Sequence, residues 1–389
     1  MRRIDKTCNI DDLARLARRR LPRGLFEFID RGAEDEVTLA GNAASLKRVF
    51  IRQRVGVDVS QRDLSTTIFG CRLEMPLALA VTGLSSLLHH DGERKLARAA
   101  AAAGVAFTIG SSNFTAQADL RPVCGDLLWR QIYPPANRAR LDHYIGVSRE
   151  LGVKVLQVTL DSPVVGNREY MRRSGWGPGI MHAGTYLDML RAPHWLFGTL
   201  GRYMLGGGLP EIADMPEGER QFWGGSHSYA VAAQDFTWED LAGLRRRWDG
   251  VLVAKGISTA EDARRAAACG VDGVIVSNHG GRTLDGCVPS FMALPEVIDA
   301  VAPRVTVIVD GGFRRGADVV KALAMGASLV MVGRAPLYGL AAGGEAGVAR
   351  ALTILRDEID RALALTGCRT PADLSRDHLS WSGSAGSLR

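Results

Sequence analysis

The sequence predicts an α/β protein, a (β/α)8 barrel with an N-terminal helical cap and one long insertion after the fourth strand. From Pro76 onward, short apolar runs alternate with alanine-rich amphipathic segments, which is typical of βαβ units and a parallel sheet. Two consecutive units also resemble each other, with Gly270 and Gly326 in corresponding places. Eight such runs favour a closed barrel over an open sheet, and no GxGxxG motif follows the first run. The predicted strands are Pro76–Thr82, Val105–Gly110, Leu127–Tyr133, Val153–Thr159, Val251–Lys255, Gly273–Ser277, Thr306–Asp310 and Ser328–Val332.

The helical cap is predicted over residues 1–70. Asn9 or Asp11 can cap a first helix that ends before Pro22, and Leu25 lies at the start of a second helix. The barrel is assigned to residues 71–169 and 236–389, so the whole chain is expected to form a single domain.

Residues 170–235 form the predicted insertion, which holds no convincing strand and is rich in Gly, Trp, Tyr and Met. So long an insertion between strands is functional or mobile more often than inert. Its apolar and aromatic residues suit a membrane interface over residues 177–223, and they equally suit a lid or an oligomer contact. Both interpretations stay open at this point.

Composition excludes several classes of protein. With 46% hydrophobic and 23% charged residues among 389, the chain is expected to be globular, and no run of 18 or more apolar residues suggests a membrane span. The net charge of +6 comes with arginine clusters on helix faces that lack interleaved aromatics, so no nucleic-acid partner is expected. The six cysteines form no CxxC pair and have no histidine at ligand spacing, so no metal site is predicted. A cytoplasmic location fits, because no signal-peptide core follows the N-terminus.

The loop Ser277–Gly286 follows a predicted strand and carries the clearest chemistry. His279 can move a proton near neutral pH, and Arg282 can bind a carboxylate with two parallel hydrogen bonds. Because barrel enzymes keep their chemistry in such loops, this one predicts a site for an anionic substrate that gives up a proton. The alternative is a surface turn with a solvated His and Arg.

Two later loops, at the ends of the seventh and eighth strands, predict a phosphate site. In barrels these loops commonly bind phosphate through glycine N–H groups, a helix start and an arginine. Lys255, at the end of the fifth strand, would project into the same mouth and stabilise negative charge on a cofactor. The alternative is that the glycines only make tight turns. The residues concerned are Asp310, Gly311, Gly312, Arg314, Gly333 and Arg334.

Polar side chains also end the third and fourth strands. Asp161 can orient an imidazole, and Arg168 offers a second guanidinium for an anion. Gln131 and Tyr133 lie on one face of the third strand.

Together these segments resemble the FMN-dependent α-hydroxy-acid dehydrogenase and oxidase family, which includes glycolate oxidase, bacterial L-lactate dehydrogenase and mandelate dehydrogenase. The resemblance runs almost end to end, through LPRGLFEFIDRGAEDEVTL, QIY, TLDSP, NRE, AKGI, SNHGGRTLDG, DGGFRRG and VGRAPLYGLAAGGEAGV to TGC. It implies a (β/α)8 barrel with FMN at its C-terminal mouth and oxidation of an (S)-2-hydroxy acid to the 2-oxo acid.

The resemblance also implies a role for each matching residue. His279 would be the base, Asp161 would stabilise its imidazolium, Tyr133 would contact the substrate hydroxyl, and Arg168 and Arg282 would bind the carboxylate. Whether the α-hydrogen leaves as a proton or as a hydride stays open. The residues expected to contact FMN are Val81, Thr82, Gly83, Gly110, Gln131, Thr159, Lys255, Ser277, Asp310, Gly311, Gly312, Arg314, Gly333 and Arg334.

The chain departs from the family pattern at three positions. Phe28 stands where a tyrosine usually binds the substrate carboxylate, so one donor is missing, worth roughly 1–2 kcal/mol. Val81 replaces a usual proline, and Gly110 replaces a usual serine beside the flavin. These changes keep a catalytically altered FMN-binding protein open as an alternative.

Two further positions bear on the electron acceptor and on the substrate. Gly83 resembles the dehydrogenase branch, which favours a quinone or another respiratory carrier over O2 as the electron acceptor, with an H2O2-forming oxidase as the alternative. Ser112 stands where glycolate oxidase has a bulky Trp, which favours a mandelate-like substrate over L-lactate. The segment HWLFGTLGRYMLGGGLP resembles the docking segment of membrane-bound relatives, so a peripheral position on the inner face of the cell membrane is expected, as is a homotetramer.

Overall fold

The computed structural model describes residues 4–176, 183–215, 220 and 232–381, and its centre is a closed barrel of eight parallel strands. The barrel strands are β4 (Leu77–Leu79), β5 (Ala106–Ile109), β6 (Leu128–Ile132), β7 (Val155–Thr159), β8 (Val251–Ile257), β9 (Gly273–Val276), β10 (Thr306–Asp310) and β11 (Leu329–Val332). Their order around the barrel is β10-β11-β4-β5-β6-β7-β8-β9, with β9 pairing back to β10. All eight predicted strands are confirmed, with ends that differ by up to three residues.

A hairpin of β2 (Thr66–Ile68) and β3 (Cys71–Leu73) closes the amino-terminal end of the barrel. Phe69, in its turn, packs on the interior residue Trp129 with ring centroids 5.9 Å apart. A Cβ at Gly273, the first residue of β9, would lie 2.8 Å from the Phe69 ring. With this end plugged by side chains, only the carboxyl-terminal end is left for a site.

Helices surround the barrel and bury their apolar faces against the outside of the strands. The predicted repeat is confirmed, since strand, helix, Gly stop and strand occur twice, with Gly270 and Gly326 at positive φ. Outside the insertion, the described helices after β4 are α4 (Ser85–Leu88), α5 (Gly92–Ala102), α6 (Gln117–Cys124), α7 (Arg138–Glu150), α12 (Trp238–Arg247), α13 (Ala260–Ala268), α14 (Ser290–Val301), α15 (Gly316–Met325) and α16 (Arg334–Leu365), the last kinked at Gly343 and Gly344. Single turns of 3-10 helix occupy Gly125–Leu127, Pro371–Asp373 and Arg376–His378.

The N-terminal cap consists of α1 (Ile10–Arg20), α2 (Arg23–Asp30) and α3 (Val37–Lys47). Asn9 is the cap of α1, since its side chain accepts from the Asp12 backbone N–H at 2.8 Å. The apolar face of α1 packs on α16, which brings the cap beside the last barrel strand. One pairing was not predicted: β1 (Val49–Ile51) pairs antiparallel with β12 (Leu379–Trp381), near the other end of the chain.

The described part of the insertion contains no strand, as expected, and much of it is helical. It contains α8 (Glu169–Ser174), α9 (Ala183–Leu190), α10 (Pro193–Trp195), one stretch of π-helix (Leu196–Leu200) and α11 (Gly201–Leu205). Trp195 anchors it, because its indole N–H donates to the Leu87 carbonyl at 2.6 Å. Within the described ranges, no helix has both the length and the apolar character needed to cross a bilayer. The remainder of the proposed docking segment, 177–182 and most of 216–223, lies outside those ranges.

Candidate active site

His279 follows strand β9 at the carboxyl-terminal end of the barrel and has a left-handed backbone conformation. Its φ is 57°, and Gly280 and Gly281 continue the turn with φ of 65° and 74°. A Cβ at Gly281 would lie 2.7 Å from the Leu39 backbone nitrogen of α3, so glycine is required there. The His279 N–H donates to the Ser277 hydroxyl at 3.1 Å, which fixes the turn to the end of the strand. The predicted loop is therefore rigid and points its imidazole into the barrel mouth.

Both ring nitrogens of His279 have partners. Nδ1 lies 2.9 Å from Asp161 Oδ1 and 3.2 Å from the Ser162 hydroxyl, while Nε2 lies 3.2 Å from the Tyr133 hydroxyl. The pKa of Asp161 lies below its ordinary value: burial acts to raise it, but the charges of His279 and Lys255 outweigh burial. An ionised Asp161 accepts from Nδ1–H, so the Nε2 lone pair faces the Tyr133 hydroxyl and is the position that can take up a proton. Burial, with the charge of Asp161, raises the pKa of Tyr133 to about 12, so its phenol is a neutral donor.

Arg168 and Arg282 lie side by side next to this histidine. The Arg168 Nε–H donates to the Arg282 carbonyl at 3.3 Å, and burial together with the charge of Arg282 lowers the pKa of Arg168 to about 10. The Arg282 guanidinium donates to the Arg31 carbonyl at 2.9 Å and lies over the Phe28 ring at 5.2 Å. Among the residues described, no carboxylate forms an ion pair with either arginine. Two partly buried cations of this kind favour an anionic ligand between them and the imidazole.

Lys255 is buried at the end of β8 with a carboxylate partner. Its Nζ lies 3.1 Å from Asp310 Oδ2 and donates to the Ser277 hydroxyl at 2.7 Å. Burial acts to lower the pKa of Lys255, but the carboxylates of Asp310 and Asp161 outweigh it and raise the pKa. The lysine is therefore a fixed cation, and its partner comes from strand β10 across the barrel mouth.

Strands β6 and β7 contribute polar side chains next to Lys255. The Gln131 amide donates to the Thr159 hydroxyl at 2.8 Å, while its carbonyl Oε1 is buried without a hydrogen-bond partner. Asp310 Oδ1 is buried and unpartnered in the same way. Native proteins rarely leave buried polar atoms unsatisfied, so each of these two oxygens is available to accept a hydrogen bond from a ligand.

Val81 and Gly110, two departures from the family pattern, occupy the same place in the structure. A Cβ at Gly110 would lie 2.7 Å from Val81 Cγ2 and 3.1 Å from Gln131 Oε1. A serine at position 110 therefore does not fit beside Val81, and the two departures compensate each other. Neighbouring Gly83 faces Ser112, where an added Cβ would meet the Ser112 Cβ at 3.3 Å. The Thr82 hydroxyl lies 3.4 Å from that of Ser85.

The two predicted phosphate loops adjoin the N-terminal cap. Added Cβ atoms at Gly311 and Gly312 would lie 3.0 Å from the Ser290 hydroxyl and 2.8 Å from the Asn42 backbone carbon, so these glycines are required for packing against α14 and α3. Their φ values of 101° and 87° also exclude other residues. Gly333 precedes α16, and an added Cβ there meets Thr82 at 3.5 Å.

Arg334 begins α16 and is partly buried among backbone carbonyls. It donates to the carbonyls of Ile29 at 3.1 Å and Gly280 at 3.0 Å. Burial and the charge of Arg282 lower its pKa to about 10. Arg314, on the preceding loop, instead contacts side chains of the cap and the Tyr338 hydroxyl.

The barrel thus brings a histidine with a carboxylate partner, two arginines and a buried lysine to one mouth, with two glycine loops beside them. The sequence model of the family described as FMN-dependent dehydrogenase matches residues 17–381. The chain belongs to this family. It is therefore an FMN-dependent oxidoreductase.

Relatives of this FMN-dependent dehydrogenase include L-lactate dehydrogenases and, among solved structures, a mandelate dehydrogenase and a mandelate oxidase. An L-lactate dehydrogenase of Caulobacter vibrioides is 41% identical over 369 residues, covering 94% of this chain and 95% of the relative. An L-lactate dehydrogenase of Chromohalobacter salexigens is 38% identical and covers 97% of this chain and 96% of the relative. Among solved structures, the monotopic membrane protein (S)-mandelate dehydrogenase is 35% identical, with a TM-score of 0.88 over 96% of this chain and 99% of that one. A mandelate oxidase variant with (S)-mandelic acid is 33% identical, with a TM-score of 0.82 over 98% and 100% of the two chains.

The residues at the mouth of this FMN-dependent dehydrogenase fit the cofactor of the family. An isoalloxazine ring offers an N–H donor that suits the unpartnered Gln131 Oε1, and a ribityl chain offers hydroxyls that suit Asp310 Oδ1. Arg334, with no carboxylate partner among the described residues, suits the phosphate. The set of donors and acceptors therefore matches a flavin mononucleotide.

Sequence reasoning missed several side chains of this site. Ser162 contacts the imidazole, and Asp310 pairs with Lys255, although the sequence suggested only a cofactor contact for Asp310. Strand order offered a signal for this pair, since both residues end strands of one closed barrel. Tyr338 and Asp30, which contact Arg314, had no such signal because they lie on helices far apart in the sequence.

Proposed function

We propose that this FMN-dependent dehydrogenase oxidises an (S)-2-hydroxy acid to the 2-oxo acid, with His279 as the base. The observation that carries the proposal is the chain Asp161–His279–Tyr133, with contacts of 2.9 Å and 3.2 Å, beside Arg168 and Arg282. A base next to paired guanidinium groups suits a substrate with a carboxylate one carbon from the reacting centre. L-lactate and mandelate, named in the relatives, have this arrangement.

Each side chain has a defined task in this proposal. Arg168 and Arg282 bind the carboxylate, and Tyr133 contacts the substrate hydroxyl. His279 Nε2 takes up a proton, and the positive charge formed on the ring is stabilised by Asp161 through the Nδ1–H bond. Bound FMN supplies the acceptor for the two electrons that leave the substrate.

The remaining site residues are proposed to hold the cofactor. Lys255 places a fixed positive charge beside the flavin ring, where negative charge grows on reduction. Gln131 and Asp310 accept hydrogen bonds from the ring and the ribityl chain, and Arg314 and Arg334 bind the phosphate. The other proposed contacts are Val81, Thr82, Gly83, Gly110, Thr159, Ser277, Gly311, Gly312 and Gly333.

The side-chain class of the substrate has two candidates. Ser112 stands where glycolate oxidase has a bulky Trp, which supports a mandelate-like acid. The curated relatives at 38–41% identity are L-lactate dehydrogenases, which supports the smaller acid. Anaerobic addition of L-lactate, glycolate, (S)-mandelate and longer 2-hydroxy acids distinguishes them, because only a substrate bleaches the visible flavin band. Bleaching should be lost in His279→Gln, and bleaching that persists in this variant would contradict the role of His279.

We further propose that electrons pass to a quinone or another respiratory carrier at a membrane surface. Apolar side chains on the helical insertion are largely exposed, among them Leu190 at 64%, Phe197 at 74% and Leu205 at 92%. Arg191 and Arg202 accompany them, which suits an anionic lipid surface. The solved (S)-mandelate dehydrogenase is described as monotopic, which supports peripheral binding. A homotetramer is proposed from family resemblance alone, and light scattering of the purified protein tests it.

A further inference from the structure

Arg314 is held by two carboxylates of the N-terminal cap. Its guanidinium donates to Asp11 Oδ1 of α1 at 3.2 Å, and its other terminal nitrogen lies 3.9 Å from Asp30 Oδ1 of α2. The same nitrogen donates to the Tyr338 hydroxyl at 3.2 Å, and that hydroxyl donates to Asp30. The positive charge of Arg314 is thus balanced within the protein.

The second arginine proposed for the phosphate, Arg334, is not balanced in this way. Its hydrogen bonds go to backbone carbonyls of Ile29, Arg31 and Gly280, and within the described chain no carboxylate lies at ion-pair distance. Of the two arginines proposed to bind the phosphate, Arg334 is therefore available to it, whereas Arg314 already has anionic partners.

The two carboxylates differ in how firmly they are held. Asp30 accepts from Tyr338, whose ring also lies under the Arg314 guanidinium at 5.5 Å. Asp11 makes one contact to Arg314, and its side chain is 59% exposed. The buried residues Ile10, Leu13 and Ala17 fix helix α1 independently of Asp11. Asp11 can therefore leave Arg314 by a side-chain rotation, without movement of the helix.

We propose that Asp11 occupies Arg314 in place of the cofactor phosphate, and that FMN binding exchanges this carboxylate for the phosphate. The exchange rests on the proposed contact between Arg314 and FMN. A phosphate carries close to two negative charges, so a carboxylate at the same guanidinium repels it. Asp11 acts through Arg314 and lowers the affinity for FMN, which makes it a positioning residue rather than a catalytic one.

The test compares FMN with riboflavin, which has the same ring and ribityl chain but no phosphate. Apoprotein is titrated with each flavin, and quenching of flavin fluorescence gives the dissociation constants of wild type, Asp11→Asn and Asp11→Ser. We expect both variants to bind FMN roughly three- to tenfold more tightly, as loss of one nearby negative charge implies, and riboflavin unchanged. The matched control is Glu345→Gln, which removes the same charge from the exposed Arg98 pair and should alter neither constant. In an Arg314→Gln background, Asp11→Asn should lose its effect.

Other results overturn the exchange. Unchanged or weaker FMN binding by the Asp11 variants would show that the carboxylate is inert or supports Arg314. An equal change for FMN and riboflavin would show an effect through the fold rather than the phosphate. FMN binding by wild type, measured in the same titration, reports on the cofactor independently. Wild type that binds no FMN would overturn the cofactor assignment and the exchange together.

Discussion

Asp161→Asn is expected to slow substrate oxidation by about 10- to 150-fold. The 2.9 Å contact from His279 Nδ1 to a carboxylate whose side chain is 11% exposed is a charge-assisted hydrogen bond once the ring is protonated. Such bonds contribute about 1.5–3 kcal/mol, and each 1.36 kcal/mol corresponds to about tenfold in rate. This range applies when the asparagine carbonyl accepts from Nδ1–H; an amide that instead donates to Nδ1 would place the ring proton on Nε2, remove the base and make the loss larger.

The assay is anaerobic flavin reduction in a stopped-flow instrument over a range of substrate concentrations. The loss should appear in the limiting rate, with little change in substrate affinity, because Asp161 contacts the imidazole and not the arginine pair. Ser162→Ala is the matched control, since its hydroxyl lies 3.2 Å from the same Nδ1 but carries no charge. Its effect should stay below about threefold. A wild-type limiting rate in Asp161→Asn, or an effect confined to affinity, would refute the reasoning.

Three further predictions concern other parts of the molecule. Phe28→Tyr adds a hydroxyl beside Arg282 that can donate to the substrate carboxylate. In steady-state assays it should lower KM for the hydroxy acid about fivefold and leave kcat little changed. An unchanged KM would show that the side chain at position 28 does not reach the carboxylate. Burial raises the pKa of Glu93 to about 7 from its ordinary value of 4.5. Between these two pH values the folded protein keeps a proton that the unfolded chain has released. The contribution of Glu93 to the free energy of unfolding therefore falls as the pH rises from about 4.5 to about 7. Glu93→Gln should therefore raise the melting temperature at pH near 8, because it removes a cost of roughly 3 kcal/mol for ionising this buried carboxyl, and should change it little at pH near 4.5. Equal shifts of the melting temperature at both pH values would contradict this prediction. Phe197→Ser with Leu205→Ser should reduce co-sedimentation with anionic lipid vesicles while flavin reduction in solution is retained, and undiminished co-sedimentation would exclude this surface.

The barrel was predictable because each strand is a short buried apolar run bounded by turn signals, and a parallel sheet buries both faces of its strands. The first helix was predictable from Asn9, whose side chain caps it. The pairing of Val49–Ile51 with Leu379–Trp381 was not predictable, because each strand has only three residues and the pattern on one side does not specify its partner.

The part of the candidate site that could be predicted is the set of polar side chains at the carboxyl ends of the strands. His279, Asp161 and Tyr133 could be placed together because parallel strands end at the same rim. The compensation between Val81 and Gly110 could not, since it depends on the 2.7 Å distance between Val81 Cγ2 and a Cβ placed at Gly110. For the same reason the sequence could not show that the glycines at 311 and 312 are needed for packing against Asn42 and Ser290.

The pairing of β1 with β12 also has a consequence for synthesis. A ribosome makes the cap, which carries Phe28 and Asp30, before any barrel strand, yet the partner of β1 is made only at Leu379–Trp381. The cap therefore cannot complete its attachment while the chain is still being translated through the barrel. This strand pairing therefore forms only after all eight barrel strands have been synthesised.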